Sequence, residues 1–140
     1  MAESMEMART DLQAELSETS PSVYCSVKGG DRESKKLVYN AMNNPTHRLG
    51  DIINKTIKVK DVVAEEIDLT DEDTGEVQKA TRVVLIDDKG ESYQAVSVGV
   101  YNSVKKLIAI FGAPTWDDPI PVTVKQISLG KNQMLTLDVA

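Results

Sequence analysis

The chain has 140 residues, a net charge of −6, 4% aromatic residues, one cysteine (Cys25) and one histidine (His47). This length is enough for one domain with a buried core. A lone cysteine excludes an internal disulfide, and one Cys with one His falls short of the three or four ligands of a zinc site.

Residues 1–21 read as a disordered acidic tail: Glu3, Glu6, Asp11, Glu15 and Glu18 against Arg9 give −4 over the first twenty positions. This start lacks the basic and apolar segments of a secretory signal, and no apolar run nears the roughly 20 residues of a membrane helix. A cytoplasmic setting in the host cell, with no membrane contact, is expected. After Pro21, Val23 to Val27 suits a short strand that Gly29-Gly30 breaks. Ser34 to Met42 fits either type: Leu37, Val38 and Met42 have helical spacing, while Val38 and Tyr39 also suit a strand. Asn43-Asn44-Pro45 stops it. Residues 22–50 are thus expected to form an N-terminal extension packed on the barrel strands.

Ile52 to Leu69 reads as a long first strand, with Ile57 and Val59 on one face and Lys58 and Lys60 on the other. The alternation slips at Val62-Val63, which suggests a bulge where the strand bends. Asp71-Glu72-Asp73-Thr74-Gly75 closes a hairpin into a second strand, Lys79 to Asp87, whose run Val83-Val84-Leu85-Ile86 is apolar on both faces. Asp87-Asp88-Lys89-Gly90 turns into a third strand, Ser92 to Val98. The period then changes: Val100, Val104, Leu107, Ile108 and Phe111 form a helical stripe stopped by Gly112 and Pro114, with Phe111 expected to fill the end of the core. Strand four carries Val122 and Val124, Gly130-Lys131-Asn132 turns the chain, and strand five runs from Met134 to Val139. Five strands with a helix between the third and fourth is the order of an OB-fold barrel, placed over residues 22–140.

Catalytic patterns are thin. Cys25 and His47 could pair only within the poorly patterned extension, and the expected roles are a buried thiol and a loop imidazole. A calcium loop starting at Asp71 would place Arg82 where its bidentate acid belongs. Gly29-Gly30 lacks the residues of a phosphate loop. No catalytic residue, metal or cofactor is assigned.

A binding surface remains. Glu65 to Glu76 holds seven acids and no base, and with the tail set aside as well the other 108 residues carry +5. Acids confined to a tail and a loop tip leave room for a basic face. Single-strand binders combine a cationic groove with aromatic platforms. On that pattern the candidates for nucleic-acid contact are Lys58, Lys60, Lys79, Arg82, Lys125 and Lys131, with Tyr93 and Trp116 for stacking.

The segments DLTDEDTGEV, RVVLIDDKGESYQAVSVGVYNSVKKLIAIFGAPTW and VTVKQISLGKNQMLTLDV, and more weakly YCSVKGGDRESKKLVYNAMNN, resemble the small single-stranded DNA-binding proteins of phages and mobile elements of Gram-positive bacteria. The resemblance implies a non-enzymatic OB-fold protein that coats single-stranded DNA in replication or recombination. Its partners would be single-stranded DNA, replication or recombination proteins, and further copies of itself. The competing reading is a protein-interaction module, a phage-encoded binder of a host factor or a structural component, favoured by the net acidity and few aromatics. Unlike bacterial single-strand binders with an acidic C-terminal tip, this chain ends Leu137-Asp138-Val139-Ala140.

Overall fold

A computed structural model of the chain describes residues 23–140. The tail expected over residues 1–21 lies outside the described residues. The elements run β1 (Val23–Cys25), α1 (Arg32–Asn43), β2 (His47–Arg48), a 3-10 turn (Leu49–Asp51), β3 (Thr56–Thr70), β4 (Val77–Asp87), β5 (Ser92–Val96), α2 (Val98–Phe111), β6 (Ile120–Leu129) and β7 (Asn132–Val139). The strands make one curled, mixed sheet in the order β2-β5-β4-β3-β6-β7, with β1 also on β3. Only β2 and β5 run parallel.

The 15-residue β3 is the spine of this half-barrel. Its first residues, Thr56 to Val59, pair with β6, while Val63 to Glu65 pair with β1. Between them the register with β4 shifts from Val59 to Asp61, so Lys60 is the bulged residue. A bulge there bends the strand away from β6 and exposes an edge that β1 takes up. This corrects the expected bulge at Val62-Val63. Both valines are buried because they face opposite ways: Val62 joins the main core, whereas Val63 packs with Ala41, Val84 and Ile86 beneath α1.

The main core lies inside the curl, with Ile57, Val59, Val83, Leu85, Val122 and Val124 from the strands and Val100, Val104 and Leu107 from α2. The two-sided run on β4 thus splits between two cores, Val83 and Leu85 inward and Val84 and Ile86 outward. Each such side chain contributes about 1.5–3 kcal/mol of burial. The ambiguous segment is the helix α1, held by Leu37, Ala41 and Met42 against the sheet's outer face.

Helix α2 starts where the Ser97 hydroxyl accepts the Val100 N–H at 3.3 Å. It lies so close to β7 that a Cβ on Gly99 would stand 2.1 Å from the Leu135 carbonyl oxygen. In its last turn Ile110 and Phe111 are exposed, which corrects the expected core role of Phe111. Cys25 is exposed rather than buried.

Candidate functional site

On β3 and β6 the inward residues Ile57, Val59, Val122 and Val124 fix which side chains face out. Thr56 stands opposite Thr123, and their hydroxyls are 2.8 Å apart on the outer face. Lys58, opposite Pro121, and Lys125, opposite Thr136 on β7, flank that threonine rung on either side. Four residues of register separate them, about 13 Å along the strands. Lys58 is exposed; Lys125 is half-buried and its Nζ donates to Asn54 Oδ1 at 3.4 Å. Lys60 is exposed on the bulge, next to the loop after α2, because its carbonyl accepts the Trp116 N–H at 2.9 Å. Lys131 is exposed in the β6–β7 turn. Lys58, Lys60 and Lys125 lie along or beside the stretch where β3 and β6 pair, whereas Lys131 stands apart at the far tip of the β6–β7 hairpin. Among the described residues none of them forms an ion pair.

The other four candidates are placed differently. Lys79 lies on the hairpin arm of β3 and β4, opposite Asp68 and near the acidic turn. Arg82 is half-buried: its Nη1 stands 3.2 Å from Glu65 Oε1 and its Nη2 donates to the Met42 carbonyl at the end of α1. Tyr93 and Trp116, the two candidates for stacking, are only 6% and 7% exposed. Tyr93 stacks on His47 with ring centroids 4.9 Å apart, and its hydroxyl donates to Asp87 Oδ2 at 3.1 Å. Burial, then the hydrogen bond and charge of Asp87 and the charge of Glu91, raise its pKa well above the ordinary tyrosine value. Trp116 sits in the core and donates its indole N–H to the Gly112 carbonyl at 3.1 Å. Neither ring offers a face to a base.

More accessible aromatics lie elsewhere, Tyr24 exposed and Tyr101 half-buried. Tyr24 on β1 and Tyr101 on α2 line an apolar groove of about 490 Å³ with Val62, Ala64 and Ile108, and Lys105 Nζ lies 4.9 Å above the Tyr101 ring. Tyr39 on α1 is 65% exposed. Composition gave no way to rank these tyrosines above Tyr93, because exposure depends on which face the fold turns outward. His47 and Cys25, the pair weighed for nucleophilic chemistry, stand on different strand pairs, β2 with β5 and β1 with β3. Among the described residues there is no cluster of three metal-ligating side chains, and no helix is long and apolar enough to cross a membrane.

A family model described as phage single-stranded DNA-binding protein, of the Phi29 type, matches residues 17–140. No curated protein and no solved structure matches the chain.

Proposed function

For a chain that belongs to the Phi29-type family of phage single-stranded DNA-binding proteins, and so binds single-stranded DNA, we propose an OB-type half-barrel that coats the strand without sequence preference. Replication of a phage or mobile element in the cytoplasm of its bacterial host is the setting, and the role is non-enzymatic. The phosphates run along the outer face where β3 meets β6, held by Lys58, Lys60 and Lys125, and on to Lys131 at the tip of the β6–β7 hairpin. The observation that supports this reading is the pair Lys58 and Lys125 flanking the Thr56–Thr123 rung, whose hydroxyls meet on the outer face. Cations at this spacing neutralise backbone charge without reading base edges, which gives affinity without sequence preference.

Arg82, Tyr93 and Trp116 support the scaffold in this reading, and Lys79 lies in too acidic a neighbourhood to hold a phosphate. A fluorescence titration with oligothymidine at two salt concentrations tests it, with weaker binding expected at the higher one. The competing reading, a module that docks a protein through the same surface, predicts no binding to oligothymidine. It also predicts no change in absorbance at 260 nm when the purified protein is washed with high salt.

A further inference from the structure

Helix α1 roofs the outer face of β3 and β4 with Leu37, Ala41 and Met42, and its opposite side carries a different set of residues. Arg32, Lys35, Lys36 and Tyr39 recur at i, i+3, i+4 and i+7, which puts them on one stripe. All four are exposed, and with Gly30 they line a shallow depression of about 590 Å³. Tyr39, at 65%, is the most exposed aromatic ring among the described residues. None of the three cations forms an ion pair among the described residues.

Stability alone does not favour this arrangement. Arg32 and Lys36 are like charges four residues apart, and Arg32 and Lys35 sit in the first turn, where the helix dipole repels cations; Asp31 and Glu33 stand at helical spacing from Lys35 and Lys36 but form no ion pair with them. The last turn, where cations would help, has no basic residue. Local rules broken together on one exposed stripe mark a functional surface. The two groups found there, clustered cations and an unpartnered aromatic ring, are those that hold a single strand.

We infer that the outer stripe of α1 is a second contact for single-stranded DNA: Tyr39 stacks a base while Arg32, Lys35 and Lys36 hold the adjoining phosphates. The inference rests on the single-strand binding proposed above and extends it to the roof of the sheet. The stripe runs about 10 Å along the helix, the length of roughly three stacked nucleotides at about 3.4 Å each. The turn from Asp87 to Glu91 joins the two surfaces, since the Asp88 N–H donates to the Lys58 carbonyl at 3.1 Å and Gly90 abuts Leu37. The turn exposes Asp88 and Glu91 against Lys89, so in this inference the strand crosses it without phosphate contact and is held on either side.

The test uses the full chain and labelled oligothymidine in three variants: Tyr39→Ala, the triple change R32A/K35A/K36A, and the triple change K58A/K60A/K125A. All these side chains are exposed except the half-buried Lys125, and unchanged far-ultraviolet dichroism and melting confirm the fold. Tyr39→Ala should weaken binding about tenfold, the loss of one stacked base. The α1 triple variant should lower the slope of log affinity against log salt by about 2, from three lost phosphate contacts at about 0.7 each. Tyr39→Trp should retain affinity, and its new fluorescence should be quenched by oligothymidine. Normal affinity and salt slope in both α1 variants, with binding weakened in K58A/K60A/K125A, would overturn this inference and leave the β3–β6 reading standing. If the unaltered protein ignores oligothymidine, both readings fall.

Discussion

The Arg82 guanidinium stands 3.2 Å from the Glu65 carboxylate across the β3–β4 pair, and its other nitrogen donates to the Met42 carbonyl at the end of α1. One planar fork thus ties the roof helix to the sheet. Arg82→Ala would leave a partly buried Glu65 and a helix-terminal carbonyl unpaired, and we expect a loss of about 2–4 kcal/mol in urea unfolding. Arg82→Lys should recover only part of it, because an ammonium is a point donor that cannot span both partners. If Arg82 instead contacts phosphate as a free surface cation, Arg82→Ala will unfold at the same urea concentration as the parent.

Gly99 is set by the approach of α2 to β7. A Cβ there would meet the Leu135 carbonyl oxygen at 2.1 Å and Met134 Cγ at 2.7 Å, and the first of these is backbone that cannot swing aside. Gly99→Ala gains about 1 kcal/mol of helix propensity, but overpacking at such a contact costs about 1–3 kcal/mol. The net expectation is a lower melting temperature. Asn102→Ala, exposed on the same helix, should raise stability by about 0.5 kcal/mol through helix propensity alone. A Gly99→Ala protein more stable than the parent would show that α2 can move off β7 freely.

Strand and helix order was legible because its signals are local. Alternation around Ile57 and Val59, the stripe from Val100 to Leu107 and the turn residues at Gly75, Gly90 and Gly130 act within a few positions. What the sequence left open depends on tertiary placement. Tyr93 and Trp116 look like platforms until the curl of the sheet closes over them, and Arg82 looks like a surface cation until α1 brings Met42 to it. Phe111 keeps the helical period, yet its ring is left exposed at the end of α2. The stripe from Arg32 to Tyr39 could not be seen while its segment fitted either a helix or a strand, because in a strand those residues divide between two faces.

The buried phenol of Tyr93 makes stability depend on alkaline pH. Burial and the carboxylates of Asp87 and Glu91 raise its pKa above the ordinary value of 10.0, so the folded state holds the proton that the unfolded chain has already released. The stabilisation is complete below about pH 10 and is lost as the pH rises toward the folded-state pKa. In that window the slope approaches about 1.4 kcal/mol per pH unit for one proton. Urea unfolding between pH 9 and 11 should show this decline, and Tyr93→Phe should flatten it. A variant that declines as steeply as the parent would place the responsible proton elsewhere.

The face formed by Lys58, Lys60 and Lys125 should act through charge, because the contacts proposed there are all cations. K58A/K60A/K125A removes three cations from a surface whose threonine rung and inner core remain intact. Each phosphate contact on a single strand contributes about 0.7 to the slope of log affinity against log salt. The variant should therefore bind oligothymidine more weakly at low salt, with a slope shallower by about 2, and its curve should approach that of the parent as salt rises. Urea unfolding should be unchanged, since Lys58 and Lys60 are exposed and Lys125 gives up only its bond to Asn54. Equal weakening at every salt concentration would mean that these lysines hold the strand through contacts other than phosphate, and unaltered binding would move the path of the strand off this face.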